Sequence, residues 1–394
     1  MKKIKHFITT KLDKKFNVGA RHVVPLQHKK ILITVTDITR ACPDKLILDI
    51  LLDYLIKKGA LKKNINIIIA TGLHRGMTDK EIMEKYGSKA RKFNIKNHDA
   101  LKDLLDFGKI NGVKIQLNKS IKNADIIFSI GIIEPHHYAG FSGGAKSVAI
   151  GIAGESLINH THSYEFITNK NVSIGNLKNN PFQKFLWDVI ANTGKDFNFI
   201  NVILQNKKIK DCAFGSTFSD YSGFIAKNKK NFVKKTGQKY DAAVLNISGG
   251  KSTNFYQASR AFTYIALTHN SIVKNNGVII LNSKMEEGFG RGLGEERFAE
   301  ILKKSKNLDD LVKNVKVSKC GGVQRAILFS EALRRHKLII IRKGTARRAP
   351  ILNVLKKFGV EIFDKTNVGA KGSSPLRGKK IIEINDPFSK LYVK

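Results

Sequence analysis

HKKILITVTDITRACPDKLILDILLDYLIKKGALKKNINIIIATG, residues 28–72, decides the fold class. Its first apolar run, ILITV at 31–35, is short and rich in β-branched side chains, which marks a strand. Pro43 then opens a segment with apolar side chains at Ile47, Ile50, Leu51, Tyr54 and Leu55, the spacing of one helix face, and Gly59 stops it. NINIIIATG reads as a continuous apolar strand over 64–70. Strand and helix alternate, so a mainly parallel sheet is expected.

The same rhythm continues outward. Thr78 and Glu81 have the spacing of a capping box that starts a helix closing at Gly87. ADIIFSIG at 124–131 is a further strand, and it runs into IIEPHHYAGFSGGAKSVAIGIAGESLINHTH over 132–162, the most unusual stretch of the chain. A lysine-rich passage, AKNKKNFVKKTGQKY, separates this part from a second alternating series. That series reads AAVLNIS as strand, a helix from about Gln257, GVIILNS as strand, a helix containing GGVQRAILFSEALRRH, the strand KLIIIRKG, the helix PILNVLKKFG, and VEIFD. The expectation is an α/β protein of two Rossmann-like domains, residues 1–235 and 236–394, with an active site in the cleft between them.

Bulk properties narrow the class. The chain has 394 residues and a net charge of +38 from 70 basic and 32 acidic side chains. Such a field attracts anions. The basic residues are mostly scattered lysines, without the arginine forks and interleaved aromatics of nucleic-acid readers, so a solvated lysine-rich surface is expected and nucleic-acid binding is not. The absence of a long apolar run or leader-like segment argues against a membrane or secreted protein. Cys42, Cys212 and Cys320 lie far apart in no metal-like spacing, which fits a reduced, cytoplasmic protein.

Six of the eleven histidines, His74, His98, His136, His137, His160 and His162, fall between 74 and 162. His74 follows the carboxyl end of one predicted strand, His136 and His137 that of another, and Asp37 and Arg40 that of a third. Ligands of open α/β sheets bind outside the carboxyl ends of strands, so these side chains are expected to converge on one pocket. The loop AGFSGGAK at 139–146 joins Ser142, Gly143 and Gly144 to Lys146, a weak anion-loop pattern that is not a Walker motif.

TDITRACP, ATGLHRGMT, NHDA and IEPHHYAGFSGGAK in this order resemble the signature of the nickel-dependent lactate racemase family. FYQASR and EEGFGRG echo its second part more faintly. The resemblance implies a racemase or epimerase of a small 2-hydroxy acid and a nickel-pincer nucleotide, a pyridinium-3-thioamide-5-thiocarboxylate mononucleotide carrying Ni(II), made by separate cofactor-biosynthesis proteins. It implies that Lys146 tethers this cofactor covalently and that His162 ligates nickel, with His160 a neighbouring rival. His74 and His136 correspond to the two acid–base histidines, with His137 a rival to the latter. Asp37 and Arg40 match a DxxR pair near cofactor and substrate, Ser142, Gly143 and Gly144 the cofactor loop, and Gln257 a substrate-side glutamine.

Three departures lie on the substrate side. Arg260 stands where the family's YQAxK pattern ends in lysine, GGKSTNFYQ replaces a GGxPxD element, and GGVQRAILFS occupies the place of an expected tryptophan. These changes point to a 2-hydroxy acid other than lactate, larger or more anionic. The alternative reading is a non-catalytic relative that binds a nucleotide or anionic metabolite.

Overall fold

The computed structural model describes residues 2–16, 26–342, 349–364 and 378–394. One sheet has six strands in the order Lys208–Gly215, Asp196–Gln205, Ile126–Ile132, Ile31–Thr36, Ile65–Ala70, Asn94–Asn97. Its neighbours are parallel except for the antiparallel edge pair Asp196–Gln205 with Lys208–Gly215. A second sheet has five parallel strands in the order Glu361–Asp364, Lys337–Arg342, Val273–Ser283, Tyr240–Asn246, Ile381–Ile384. The architecture is therefore α/β with mainly parallel sheets.

The register explains where a site forms. Ile31–Thr36 is buried at all six positions, and it pairs Thr36 with Ala70 on one side and Thr34 with Ser129 on the other. The carboxyl ends of three central strands thus share one edge, and Asp37, Thr71 and Ile133 begin the loops beyond it. Helix Asp44–Lys57 covers this sheet with Ile47, Leu48, Leu51 and Leu55. Each such side chain contributes about 1.5–3 kcal/mol when fully buried.

Several elements differ from the expectations in instructive ways. Lys2–Phe16 is a helix whose Ile8, Leu12 and Phe16 pack into the core of the six-stranded sheet. Their i, i+4, i+8 spacing is that of one helix face. The capping box of Thr78 and Glu81 forms, but the helix continues to Ala90 through a kink at Gly87, where φ is 79°. Asn254 accepts from the Gln257 backbone N–H, so that helix runs from Phe255 to Ala266. Residues Ala349–Phe358 wind as a 3₁₀ helix instead of an α-helix.

Every residue of helix Phe255–Ala266 is buried. A helix buried all round must be covered on both sides. One side packs on strand Val273–Ser283, and the other meets the loops of the six-stranded sheet: the Tyr264 hydroxyl donates to the Pro135 carbonyl at 2.7 Å, and His137 Nε2 lies 2.8 Å from Thr263 Oγ1. Gly250 allows a similar approach, since a Cβ there would sit 2.0 Å from the Ile38 carbonyl oxygen.

The turn after Ile31–Thr36 is held from behind. Buried Asp44 accepts from the Thr36 N–H and hydroxyl at 2.9 and 2.7 Å and pairs with Lys85 at 3.0 Å, while Lys85 also donates to the Arg40 carbonyl. Removing one partner of a buried ion pair strands the other charge. Asp44→Ala should therefore lose about 3–5 kcal/mol of stability in denaturant unfolding. The exposed pair Asp53 and Lys89 provides the contrast: Asp53→Ala should change stability by about 1 kcal/mol or less.

Candidate active site

Asp37 is buried in the turn that follows the central strand. Its Oδ1 accepts from the Thr39 N–H and hydroxyl at 3.2 and 2.6 Å, and its Oδ2 lies 2.6 Å from His74 Nδ1. Burial pushes this carboxyl up, but the charge and hydrogen bond of His74, with Thr39 and Arg40, outweigh it and hold the group well below the usual carboxylate range. An ionised Asp37 fixes the proton of His74 on Nδ1, leaving a lone pair on Nε2. The Gln257 amide nitrogen reaches this lone pair at 3.1 Å from across the cleft.

The strand Ile126–Ile132 delivers the next group. Buried His136 accepts at Nδ1 from the backbone N–H groups of Tyr138 and Ala139, at 3.3 and 3.2 Å. In its neutral form His136 must therefore carry its proton on Nε2, opposite to His74. Burial lowers its pKa well below the ordinary value, and the Lys146, Arg260 and Arg40 charges add to this. His137 is turned to Thr263 and packs edge-on against Tyr264, with ring centroids 4.4 Å apart. The Glu134 carboxylate pairs with Lys251 at 2.9 Å, both buried.

The glycine loop is stapled by the protein itself. The Ser142 hydroxyl donates to the Ile132 carbonyl at 2.7 Å and accepts from the Glu134 N–H, and the Gly144 N–H donates to Asn201 at 2.6 Å. Gly143 has φ 86°, and a Cβ there would collide with the Asn201 carbonyl oxygen at 2.6 Å. Several polar groups of the expected anion loop are thus spent on internal bonds. What the loop achieves is to present Lys146, with Ser142 and Gly143, at the wall of a cavity of about 150 Å³.

The side-chain amine of Lys146 has no hydrogen-bonding or ion-pair partner among the described residues. Burial lowers its pKa to about 7, helped by the Arg40 and Arg260 charges and opposed by Asp37. Across the cavity, His162 caps helix Glu155–Thr161 and places Nδ1 2.9 Å from both the Ile158 carbonyl and the Thr161 hydroxyl. Burial, with Lys146, lowers its pKa to about 3. The imidazole is thus neutral with a free Nε2, the form a metal ligand needs. His160 instead packs against Phe166 and Phe185 on a separate groove, and His98 is tied to Ala153 and Asn118. Among the described residues, no three His, Cys, Asp or Glu side chains gather to hold a metal by themselves.

Helix Phe255–Ala266 contributes Gln257 and Arg260 from the other side. Arg260 donates to the Gln257 side-chain oxygen and to the Tyr264 hydroxyl, both at 3.3 Å. The sequence reading missed Tyr138, Tyr256, Gln324 and Arg325, which also line the cavity. Arg325 lies in the very segment noted for its missing tryptophan, but nothing in the sequence marks it as buried.

The fold and site define an α/β enzyme with two oppositely tautomerised imidazoles, a low-pKa amine and several buried cations for an anionic ligand. Residues 2–175 match the lactate racemase N-terminal domain. The chain is 32% identical to the lactate racemase of Lactiplantibacillus plantarum over 324 residues, covering 79% of this chain and 73% of the relative. It is 29% identical to the lactate racemase of Thermoanaerobacterium thermosaccharolyticum over 323 residues, with the same coverages of 79% and 73%. The structure of the latter's apoprotein superposes with TM-score 0.79 at 25% identity, over 99% of this chain and 93% of that one. A Thermotoga maritima protein shares the fold, with TM-score 0.76 at 18% identity over 99% and 97% of the two chains. The chain belongs to the lactate racemase family and is an isomerase of the racemase type. No helix among the described residues is long and apolar enough to cross a membrane.

A lysine whose pKa is lowered to about 7 is half neutral near pH 7 and increasingly nucleophilic above it. In protein produced without the family's cofactor, acylation of Lys146 followed by peptide mass spectrometry should show a pH midpoint near 7. A midpoint in the ordinary lysine range, about 10.4, would contradict the assigned environment.

Proposed function

We propose that this enzyme racemises or epimerises a 2-hydroxy acid other than lactate by reversible proton-coupled hydride transfer, using a nickel-pincer nucleotide. On this proposal residues 1–235 and 236–394 are two Rossmann-like domains, the first holding the cofactor and the second facing substrate, in a cytoplasmic protein served by cofactor-biosynthesis partners. The observation that carries it is the opposite tautomeric state of His74 and His136 at one cavity.

The residues fit the cofactor on chemical grounds. Lys146 offers an unpaired amine that is substantially neutral near pH 7, as attachment through a thioamide requires. His162 offers Nε2 while its Nδ1 is held by Ile158, which suits a metal that accepts imidazole together with sulfur donors. Arg40 and Asp37 stand beside the Lys146 amine, where a charged cofactor would lie. When bound, the nickel-pincer nucleotide would accept the substrate's α-hydride and return it to either face of a planar keto acid.

The protein's own groups would handle the proton. His74 Nε2, released from Gln257, accepts the hydroxyl proton of one enantiomer, and ionised Asp37 stabilises the resulting imidazolium. His136 Nε2–H would donate a hydrogen bond to the oxygen of the opposite enantiomer, and the proton returned to that oxygen is the one His74 took up, so the proton count closes. Burial keeps His136 neutral, so its Nε2–H stays available as a hydrogen-bond donor. Arg40 and Arg260 are suited to hold the substrate carboxylate through paired N–H groups.

The test uses protein expressed beside the cofactor-biosynthesis proteins and a panel of chiral 2-hydroxy acids, with inversion followed by chiral chromatography. Lys146→Ala should retain no cofactor by intact mass and nickel analysis. His74→Ala should keep both and lose roughly 10²- to 10⁴-fold in turnover, the usual contribution of a positioned acid or base. Normal turnover by His74→Ala on the true substrate would remove His74 from the mechanism.

A further inference from the structure

Three guanidiniums, those of Arg40, Arg260 and Arg325, line one cavity. Among the described residues, none of them forms an ion pair. The carboxylates whose charge reaches Arg40 are Asp37 and Glu134, and these hold hydrogen bonds with His74 and Lys251. The groups acting most strongly on Arg325 are Tyr138, Tyr256, Arg260 and Tyr264, and no carboxylate is among these.

Arg325 is positioned, not adventitious. It begins helix Arg325–Arg335, directly after a turn fixed by the Gly321 N–H on Asn159 and the Gly322 N–H on Gln324, both at 2.6 Å. One terminal nitrogen donates to Ser259 at 3.3 Å, and the guanidinium lies over the Tyr256 ring at 5.2 Å. The side chain is only 5% exposed, yet its Nε has no hydrogen-bond partner among the described residues. The same holds for the hydroxyl of Tyr138, also 5% exposed. Buried donors and acceptors of proteins are nearly always satisfied, so two unsatisfied ones beside a cavity mark a site that a ligand completes.

Its place relative to the other cations sorts their tasks. The charges acting on the Lys146 amine are Arg40, Arg260 and Asp37. Arg325 acts first on Tyr138, and it is likewise the foremost charge at Tyr256 and His137. Arg40 is felt at Lys146 and Arg325 at Tyr138, Tyr256 and His137, while Arg260 is felt at both sets, so Arg325 adds a cation beyond those that act on Lys146. An apolar substrate tail would leave both Arg325 Nε and the Tyr138 hydroxyl unpaired. A neutral polar tail would leave a buried charge uncompensated, whereas a carboxylate answers both at once.

We propose that Arg325 and Tyr138 form a subsite for a second negative group of the substrate, so that the enzyme takes 2-hydroxy dicarboxylates in preference to 2-hydroxy monocarboxylates. This rests on the racemase reading above for the first carboxylate and the hydroxyl, but its test does not depend on turnover. Calorimetric binding of succinate and of propionate, neither of which can react, is compared on the full chain with and without cofactor.

Succinate should bind the unaltered protein at least tenfold more tightly than propionate, and Arg325→Met should bring the two within about twofold of each other. Tyr138→Phe should weaken succinate a few-fold without moving propionate, and Arg325→Lys should restore part of the preference. These two milder variants carry the test if Arg325→Met does not fold by circular dichroism. Equal binding of the two acids, or a preference that survives Arg325→Met, overturns the subsite. Loss of inorganic phosphate binding in Arg325→Met with the succinate preference intact also overturns it, and assigns Arg325 to a nucleotide phosphate.

Kinetics separate the two readings. If the holoenzyme inverts lactate and malate equally, with and without Arg325→Met, the subsite fails and the racemase reading stands. If the succinate preference depends on Arg325 but no hydroxy acid on the panel is inverted, the subsite stands and the racemase reading fails.

Discussion

The bond between Asp37 and His74 is the contact on which the site's geometry turns. It joins the loop ends of two adjacent parallel strands, keeps a buried carboxylate ionised, and leaves His74 Nε2 as an acceptor. From there a hydrogen-bonded circuit crosses the cleft: Gln257 to His74, Arg260 to Gln257 and to Tyr264, and Tyr264 back to the Pro135 carbonyl. Pro135 immediately precedes His136, so the two imidazoles with opposite tautomers are ends of one circuit. A protonated Asp37 would release the His74 ring and open this circuit at its first link.

Charge balance inside the cleft differs from that of the surface. The lysine-rich exterior gives the chain a field that draws anions in, but it says nothing of which anion is held. Selection falls to buried groups, where an uncompensated charge is expensive. Glu134 compensates Lys251, and its charge is also felt at Arg40. Among the described residues, Arg40, Arg260 and Arg325 have no ion-pair partners, a state a folded protein tolerates where a ligand compensates it. The cleft is thus suited to an anionic ligand.

Much of this was legible from the sequence, for reasons that can be named. Strand ends in a parallel sheet share an edge, so Asp37, His74 and His136 were brought together by periodicity alone. Adjacent residues on a loop are different: nothing local distinguishes His136 from His137, and only Thr263 on a distant helix claims the second. His160 and His162 are an intermediate case. Two positions along a helix turn through about 200°, so the two rings had to face opposite ways, although which of them met the cavity depended on the packing of Phe166 and Phe185. Arg325 and Tyr138 were illegible because their meaning is an absence, a missing partner that only three-dimensional structure reveals. The 3₁₀ winding of Ala349–Phe358 was likewise invisible, since its apolar spacing suits an ordinary helix.

The arginine at position 260, where the resemblance led one to expect lysine, follows from the same circuit. A lysine ammonium is a compact charge on a flexible stem, whereas a guanidinium presents donors in a fixed plane. Arg260 uses that plane to bind Gln257 through one terminal nitrogen and Tyr264 through the other. It is therefore both a cation and a brace, and it reaches the first imidazole through Gln257 and the second through Tyr264 and Pro135. A lysine could supply the charge but would have difficulty spanning both contacts at once. The substitution exchanges a mobile cation for a fixed one, and a cleft with fixed cations discriminates by where a ligand's negative groups lie as well as by how many it carries.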